Sequence, residues 1–140
     1  MSFRYKKEIA GNSYIVRPKI PVTLFCGEKR IDVEALLDSG ADKLFLPKGI
    51  ADFLGVDYLK EDKTKGVGGE IKVGVTRLGL IIGNDHESYI LANIPAIVPL
   101  NEKDDSFLLI GRSPFFDEFD ILFKQRLNRV ILTKAAMRRN

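Results

Sequence analysis

Asp38 carries the side chain best placed for catalysis in this 140-residue chain. It follows the largely apolar run 33–37 and precedes the small residues 39–41, so its carboxylate stands where a predicted strand ends in a turn. Such a carboxylate can act as a general base or a general acid, so it could activate a water for hydrolysis. The alternative is an ordinary turn, in which Asp38 accepts a hydrogen bond from its downstream backbone and Gly40 supplies a positive φ.

Other catalytic chemistries find little support in the residue types present. A zinc site needs three or four soft or imidazole ligands, and the chain has one cysteine, Cys26, and one histidine, His86. His86 lies in the turn-like segment 83–88, so a Ser-His-Asp or Cys-His arrangement would depend on an exposed loop. The glycine-rich segment 66–69 lacks the lysine and hydroxyl residue of a phosphate-binding loop and the third glycine of a dinucleotide-binding fingerprint. We therefore expect neither a metal nor a cofactor.

The charge distribution leaves nucleic-acid binding as a disfavoured alternative. The chain has 22 basic and 19 acidic residues, a net charge of +3, and basic residues gather near both ends. Such clusters can contact phosphates, but the RNP, zinc-finger and basic-zipper motifs are absent, which favours a solvated surface. The apolar runs are far shorter than the roughly 20 residues that cross a bilayer, and the N-terminus lacks a secretory signal pattern. We therefore expect no membrane association and a cytoplasmic location.

The elements that must position Asp38 are mostly strands. The length and the 45% of apolar residues indicate one compact domain with its own core. Two short helices are predicted, one from about Lys48 to Leu54 that stops at Gly55, and one that begins at Ser113 as N-cap with Pro114 at its first position. Runs rich in β-branched and large apolar residues predict strands at 20–26, 31–37, 43–46, 71–82, 88–98, 107–110, 119–124 and 129–134. An all-β fold follows.

Three segments of the chain resemble the retropepsin-like aspartic proteases in residue type, order and spacing. The family's active-site segment is similar to Ala35-Leu36-Leu37-Asp38-Ser39-Gly40-Ala41-Asp42 with Leu44-Phe45-Leu46-Pro47. Its flap hairpin is similar to Gly66-Val67-Gly68-Gly69, and its apolar-apolar-Gly-Arg element to Leu108-Leu109-Ile110-Gly111-Arg112. The resemblance covers about residues 21–134.

The resemblance implies a fold, a domain division and an activity. The fold is all-β, an acid-protease-type closed barrel with a flap hairpin, one or two short helices and one lobe per chain. The chain divides into an N-terminal extension, 1–19, a protease domain, 20–134, and a basic C-terminal tail, 135–140. The implied activity is that of an aspartic endopeptidase acting on extended peptides. Because the chain has a single Asp-Ser-Gly and is too short for two lobes, a homodimer would supply one Asp38 from each chain.

The resemblance also implies roles for the residues around Asp38. Asp38, Ser39 and Gly40 form the catalytic loop, in which the Ser39 hydroxyl bonds across the dimer axis and the Gly40 carbonyl accepts a substrate amide. In the flap, the glycines present backbone donors and the valine an apolar cap. The residues implied in substrate contact are Leu36, Ala41, Asp42, Phe45, Val67, Gly68, Gly69 and Ile97.

A structural role beside the site is implied for Gly111 and Arg112. In the family, residues at the positions of Asp42 and Arg112 form an ion pair next to the catalytic loop. If such a pair is buried, removal of one partner costs several kcal/mol because the other charge is left unpaired.

A second function is compatible with the same fold. A protein can keep the fold and the carboxylate pair and serve as a dimeric module that binds extended peptide segments without cutting them. The intact Asp38, Ser39 and Gly40 favour catalysis over this alternative.

Overall fold

The computed structural model describes residues 1–66, 69–101 and 107–136. The strands in these ranges are β1 (Ser2–Arg4), β2 (Lys6–Ala10), β3 (Ser13–Arg17), β4 (Lys19–Cys26), β5 (Lys29–Leu37), β6 (Leu44–Phe45), β7 (Lys60–Gly66), β8 (Gly69–Gly83), β9 (Ser88–Pro99), β10 (Leu109–Ile110), β11 (Phe119–Lys124) and β12 (Arg129–Lys134). Strand is therefore the dominant structure, as the sequence predicted.

Six strands close into a barrel. The order β4-β5-β10-β6-β9-β8 returns to its start because β4 also pairs with β8, where Thr23 lies opposite Ile81. β7 pairs with β8 from Lys60 opposite Val75 to Gly66 opposite Gly69, which makes a hairpin at the edge of the sheet. The predicted all-β closed barrel is confirmed.

Alternating burial explains how these strands enclose a core. In β4 the side chains of Ile20, Val22 and Leu24 are buried, while Pro21 between them is exposed. Successive side chains of a strand point to opposite faces, so one apolar face suffices to build the barrel interior. Other side chains that fill it are Ala35, Leu37, Leu44, Leu46, Leu78, Leu80, Ile82, Ile94, Ala96, Val98 and Ile110.

The predicted helix at Lys48–Leu54 is present with those bounds as α1. It ends at Gly55, whose φ of 64° lies in the left-handed region that glycine adopts without strain. Ala51 and Leu54 are buried, so α1 packs its apolar side on the core.

The second helix differs from the prediction that it begins at Ser113. The helical segment runs from Arg112 to Phe116, and Ser113 interrupts it with extended angles, φ −109° and ψ 130°. Tertiary packing explains the irregular path, because Phe115 is buried with its ring centroid 4.9 Å from that of the buried Phe119. The aromatic pair, and not a regular N-cap, positions this segment.

Residues 1–19 contain three strands that the sequence analysis did not predict. β1 pairs with β12 in a three-stranded sheet of order β1-β12-β11, with Phe3 opposite Val130. β2 and β3 form a separate hairpin, attached to the barrel by an ion pair of 3.0 Å between Lys6 Nζ and Glu34 Oε1. The charged residues in this segment obscure its strand pattern, and its apolar side chains pack on other elements.

Candidate active site

The loop that carries Asp38 begins where β5 meets β10. β10 lies between β5 and β6, parallel to β5 and antiparallel to β6, with Leu109 opposite both Leu36 and Phe45. The Asp38 backbone N–H donates to the Ile110 carbonyl at 3.0 Å, which continues the β5–β10 pairing by one residue. β6 and β10 have two residues each, shorter than the predicted 43–46 and 107–110. Asp38 is thus held at the end of a barrel strand.

Backbone hydrogen bonds hold the loop on its far side as well. The Ala41 N–H donates to the Asp38 carbonyl at 3.2 Å and closes a turn. The Arg112 N–H donates to the Ala41 carbonyl at 2.9 Å, and the Ser113 N–H donates to the Asp42 carbonyl at 2.8 Å. The loop is therefore tied at both ends to the segment around residues 110–113, 70 residues away in sequence for the Asp42–Arg112 pair.

The Asp38 carboxylate has a defined orientation. Its Oδ1 accepts a hydrogen bond from the Gly40 N–H at 2.9 Å. A Cβ on Gly40 would stand 3.2 Å from the same oxygen, so a side chain there would crowd the carboxylate. Gly40 does not have a positive φ, in contrast to the ordinary turn considered above. The absence of a side chain at position 40 leaves space beside the Asp38 carboxylate.

Ser39 and Gly40 are exposed in the single chain, and Ala41 is half-buried. Asp38 itself is half-buried. The loop therefore presents its carboxylate and its hydroxyl to the outside of the barrel, where another molecule can reach them.

Asp42 and Arg112 form an ion pair through Asp42 Oδ1 and Arg112 Nη2. Their side chains are 80% and 60% exposed in the single chain, so the pair is solvated there. An exposed ion pair stabilises a fold by about 0 to 1 kcal/mol. The several kcal/mol expected of a buried pair therefore do not apply to the isolated chain.

Gly111 is the point of closest backbone approach behind the loop. It is buried, and a Cβ there would stand 2.4 Å from the Lys43 carbonyl oxygen and 2.7 Å from that of Ala41. No side chain fits in that space. The glycine lets residues 41–43 pack on the start of the helical segment, and the next residue, Arg112, then reaches Asp42.

Two rows of side chains run across neighbouring strands of the barrel beside Asp38, one on each face of the sheet. Because the registers of β5, β10, β6, β9 and β8 are known, residues opposite each other share a face. A buried row consists of Leu37, Ile110, Leu44, Ala96 and Thr76. A half-exposed row, here called the apolar floor, consists of Leu36, Leu109, Phe45, Ile97 and Val75.

The apolar floor contains two residues that the sequence analysis missed. Leu36, Phe45 and Ile97 were singled out, whereas Leu109 and Val75 were not. Alternation could have identified Leu109, since it stands between Leu108 and the buried Ile110, but alternation does not say which face looks outward. The pairing of β10 with two other strands decides that.

The β7–β8 hairpin carries the glycine-rich segment. Gly69 has a φ of 124°, a conformation that other residues rarely adopt, and it pairs with Gly66. Val67 and Gly68 lie outside the described residues, so their implied contacts with a substrate stay predictions.

The part of the chain that the structure describes has neither a cluster of metal ligands nor a membrane-spanning helix. The described ranges contain no group of three or more His, Cys, Asp or Glu side chains placed to hold a metal ion. His86 lies in an exposed turn, where its backbone N–H donates to Asn84 Oδ1 at 2.9 Å. Among the helices that the structure describes, none has the length and apolarity needed to cross a membrane.

No family model and no curated protein matches this chain. Two proteases are among the solved structures that share its fold. A retropepsin-like aspartic protease from Rickettsia conorii superimposes with a TM-score of 0.59 at 21% identity, over 94% of this chain and 88% of that chain. EIAV protease complexed with the inhibitor HBY-793 gives a TM-score of 0.51 at 20% identity, over 72% of this chain and 86% of that chain. The chain therefore has the fold of the retropepsin-like aspartic proteases.

Proposed function

We propose that this protein is a homodimeric aspartic endopeptidase in which Asp38 of each chain supplies one carboxylate of the catalytic pair. The observation that carries the proposal is the position of Asp38 at the end of β5, oriented by the Gly40 N–H and next to the apolar floor. Both structural neighbours named above are proteases. A carboxylate beside an apolar surface can act on a peptide bound there, once a second copy of the chain supplies the other carboxylate of the pair.

A second copy of the chain completes the site in this proposal. The sequence holds one Asp-Ser-Gly, and the mechanism needs two carboxylates. Ser39, Gly40, Asp42 and Arg112 are exposed in the single chain, which leaves the loop open to a two-fold related copy. In such a dimer residue 38 of one chain faces residue 38 of the other.

The chemistry follows from one proton shared by two carboxylates. Two like charges so close do not both ionise, so one carboxylate stays protonated while the other is charged. The charged one removes a proton from a water as the water oxygen bonds to the scissile carbonyl carbon, and the protonated one gives its proton to the carbonyl oxygen. The carboxyl that took the water proton then gives it to the amide nitrogen, while the other carboxylate takes a proton from one hydroxyl of the diol. The C–N bond breaks, an amine and a carboxylic acid are released, and the pair again holds one proton.

The substrate in this proposal is an extended peptide. The apolar floor offers Leu36, Leu109 and Phe45 as partly exposed contacts for apolar side chains on either side of the scissile bond. Gly40 leaves the backbone next to Asp38 bare, so a peptide strand can approach it closely. The β7–β8 hairpin acts as the flap that covers the bound peptide.

The test compares Asp38→Asn with a matched change on β5, the strand that leads to Asp38. Asp32→Asn serves as the control, because Asp32 Oδ1 accepts the Thr23 hydroxyl at 2.6 Å, a bond that an asparagine oxygen keeps. Wild type and both variants are incubated with an unstructured peptide library between about pH 3 and 8, and products are identified by mass. We expect cleavage by wild type and Asp32→Asn, with Asp38→Asn slower by several orders of magnitude.

Two outcomes contradict the proposal. Cleavage by Asp38→Asn at the wild-type rate shows that another group does the chemistry. Peptides that bind wild type but are never cleaved favour the dimeric binding module.

A further inference from the structure

Tyr58 packs directly on the root of the β7–β8 hairpin. Its ring lies over Gly74 of β8, which pairs with Glu61 of β7 and Val98 of β9. A Cβ on Gly74 would stand 2.4 Å from Tyr58 Cδ1 and 2.7 Å from Tyr58 Cε1. Gly74 does not have a positive φ, so contact with the ring and not backbone conformation requires the glycine.

Hydrogen bonds hold the segment of Tyr58 to the same strand on both sides of the ring. The Leu59 N–H donates to the Val75 carbonyl at 2.8 Å. The Thr76 hydroxyl donates to the Asp57 carbonyl at 2.6 Å, and Thr76 is fully buried. These bonds hold the backbone on both sides of Tyr58 against β8, so its ring is attached next to Gly74.

The ring lies on the back of the hairpin. Side chains alternate along β8, so Val73 and Val75 share the face of the apolar floor and Gly74 has the opposite face. A hairpin that bends away from the floor must therefore move its root into the ring of Tyr58.

We propose that Tyr58 is a positioning residue that acts as a backstop and sets how far the β7–β8 hairpin stands from the apolar floor. The mechanical part of this proposal, which is the restraint of the hairpin by the ring, depends only on the contacts of Tyr58 with Gly74. The effect of Tyr58 on substrate binding rests on the proposed function, in which the hairpin covers the peptide. Without the ring the hairpin bends further back, and the bound peptide loses contacts.

The same strand offers a matched control. Phe25 of β4 lies opposite Gly79 of β8, and a Cβ on Gly79 would stand 2.1 Å from Phe25 Cζ. This ring-on-glycine contact belongs to the barrel wall and not to the hairpin. Phe25→Ala removes a comparable contact from β8 without touching the root of the hairpin.

Hydrogen–deuterium exchange tests the mechanical part in the full chain with Asp38→Asn, which excludes self-cleavage. We expect Tyr58→Ala to speed exchange of the amides of 60–66 and 69–73 by about tenfold relative to β4 and β5. Tyr58→Phe keeps the ring and should leave these rates unchanged. Phe25→Ala should not speed exchange in the hairpin selectively. Gly74→Ala displaces the ring while Tyr58 stays, so it should reproduce the effect if Tyr58→Ala folds poorly.

Kinetics tests the effect on substrate binding in the chain with Asp38 intact. We expect Tyr58→Ala to raise KM about tenfold and to change kcat less than about threefold, because the ring does not touch the reacting atoms. If the hairpin amides of Tyr58→Ala exchange at the parent rate, or if Phe25→Ala speeds their exchange equally, the proposed restraint by Tyr58 is wrong. Faster exchange with an unchanged KM overturns its link to substrate binding. If the parent cleaves nothing, the proposed function fails, and the exchange experiment still decides the mechanical part.

Discussion

Gly111 and Lys43 approach so closely that a Cβ on the glycine would stand 2.4 Å from the lysine carbonyl oxygen. The contact joins the loop after Asp38 to the segment after β10. It explains in physical terms why a glycine precedes Arg112: only a residue without a side chain lets residues 41–43 pack there.

Gly111→Ala should therefore destabilise the chain by about 2 kcal/mol or more, because the backbone of residues 41–43 has to move. Gly49→Ala in α1 is the control, since a Cβ at Gly49 meets nothing within 4 Å. A helical glycine costs about 0.5 to 1 kcal/mol relative to alanine, so Gly49→Ala should raise stability. Urea unfolding measures the stability of both variants. Equal changes in their free energies of unfolding would contradict the contact of Gly111 with residues 41–43.

The Asp42–Arg112 ion pair should matter more to the dimer than to the single chain. In the single chain both side chains are exposed, so a double-mutant cycle with Asp42→Ala and Arg112→Ala should give a coupling below about 1 kcal/mol in urea unfolding. If the pair lies near the second copy, each single change should weaken dimerisation more strongly and the double change should be less than additive. Lys6→Ala, which breaks an exposed pair with Glu34, is the control. Sedimentation at rising concentration measures dimerisation, and strict additivity would show that the two residues do not interact.

Asp38→Asn should leave the dimer as stable as wild type or make it more stable. Two carboxylates forced together repel when both are charged, and asparagine removes the repulsion. Sedimentation at rising concentration compares the two dimers. A variant dimer weaker than wild type at neutral pH would contradict the facing carboxylates.

Glu8 should make the fold sensitive to acid. The hydrogen bond from Lys19 and the charges of Lys19 and Arg17 hold the pKa of Glu8 below its usual value. A carboxyl whose pKa is lower in the folded state contributes stability above its unfolded pKa, and that contribution disappears as pH falls through the folded pKa. Urea unfolding near neutral pH and below the unfolded pKa of about 4.3 should show a smaller acid-induced loss for Glu8→Gln than for wild type. Glu28→Gln, in the exposed β4–β5 turn, controls for the loss of one carboxylate.

The sequence by itself determined the local elements and the position of the candidate catalytic group. Runs rich in β-branched and large apolar residues located β4, β5, β8, β9, β11 and β12 to within two residues of their ends, and Gly55 marked the end of α1. Asp38 was recognised because a charged residue directly after an apolar strand is a local feature. Local patterns of this kind depend on neighbours in sequence, which the sequence displays directly.

Tertiary structure alone decided which strands meet and which faces look outward. The two residues of β10 lie between β5 and β6, and this placement assigns Leu109 to the apolar floor and Ile110 to the core. β1 to β3 in residues 1–19 gain their partners from β12, from each other and from the barrel. The ring of Tyr58 meets Gly74 only because residues 57–59 fold back on β8. Alternation states a period but not a partner, and pairing between distant segments is decided by how the whole core packs.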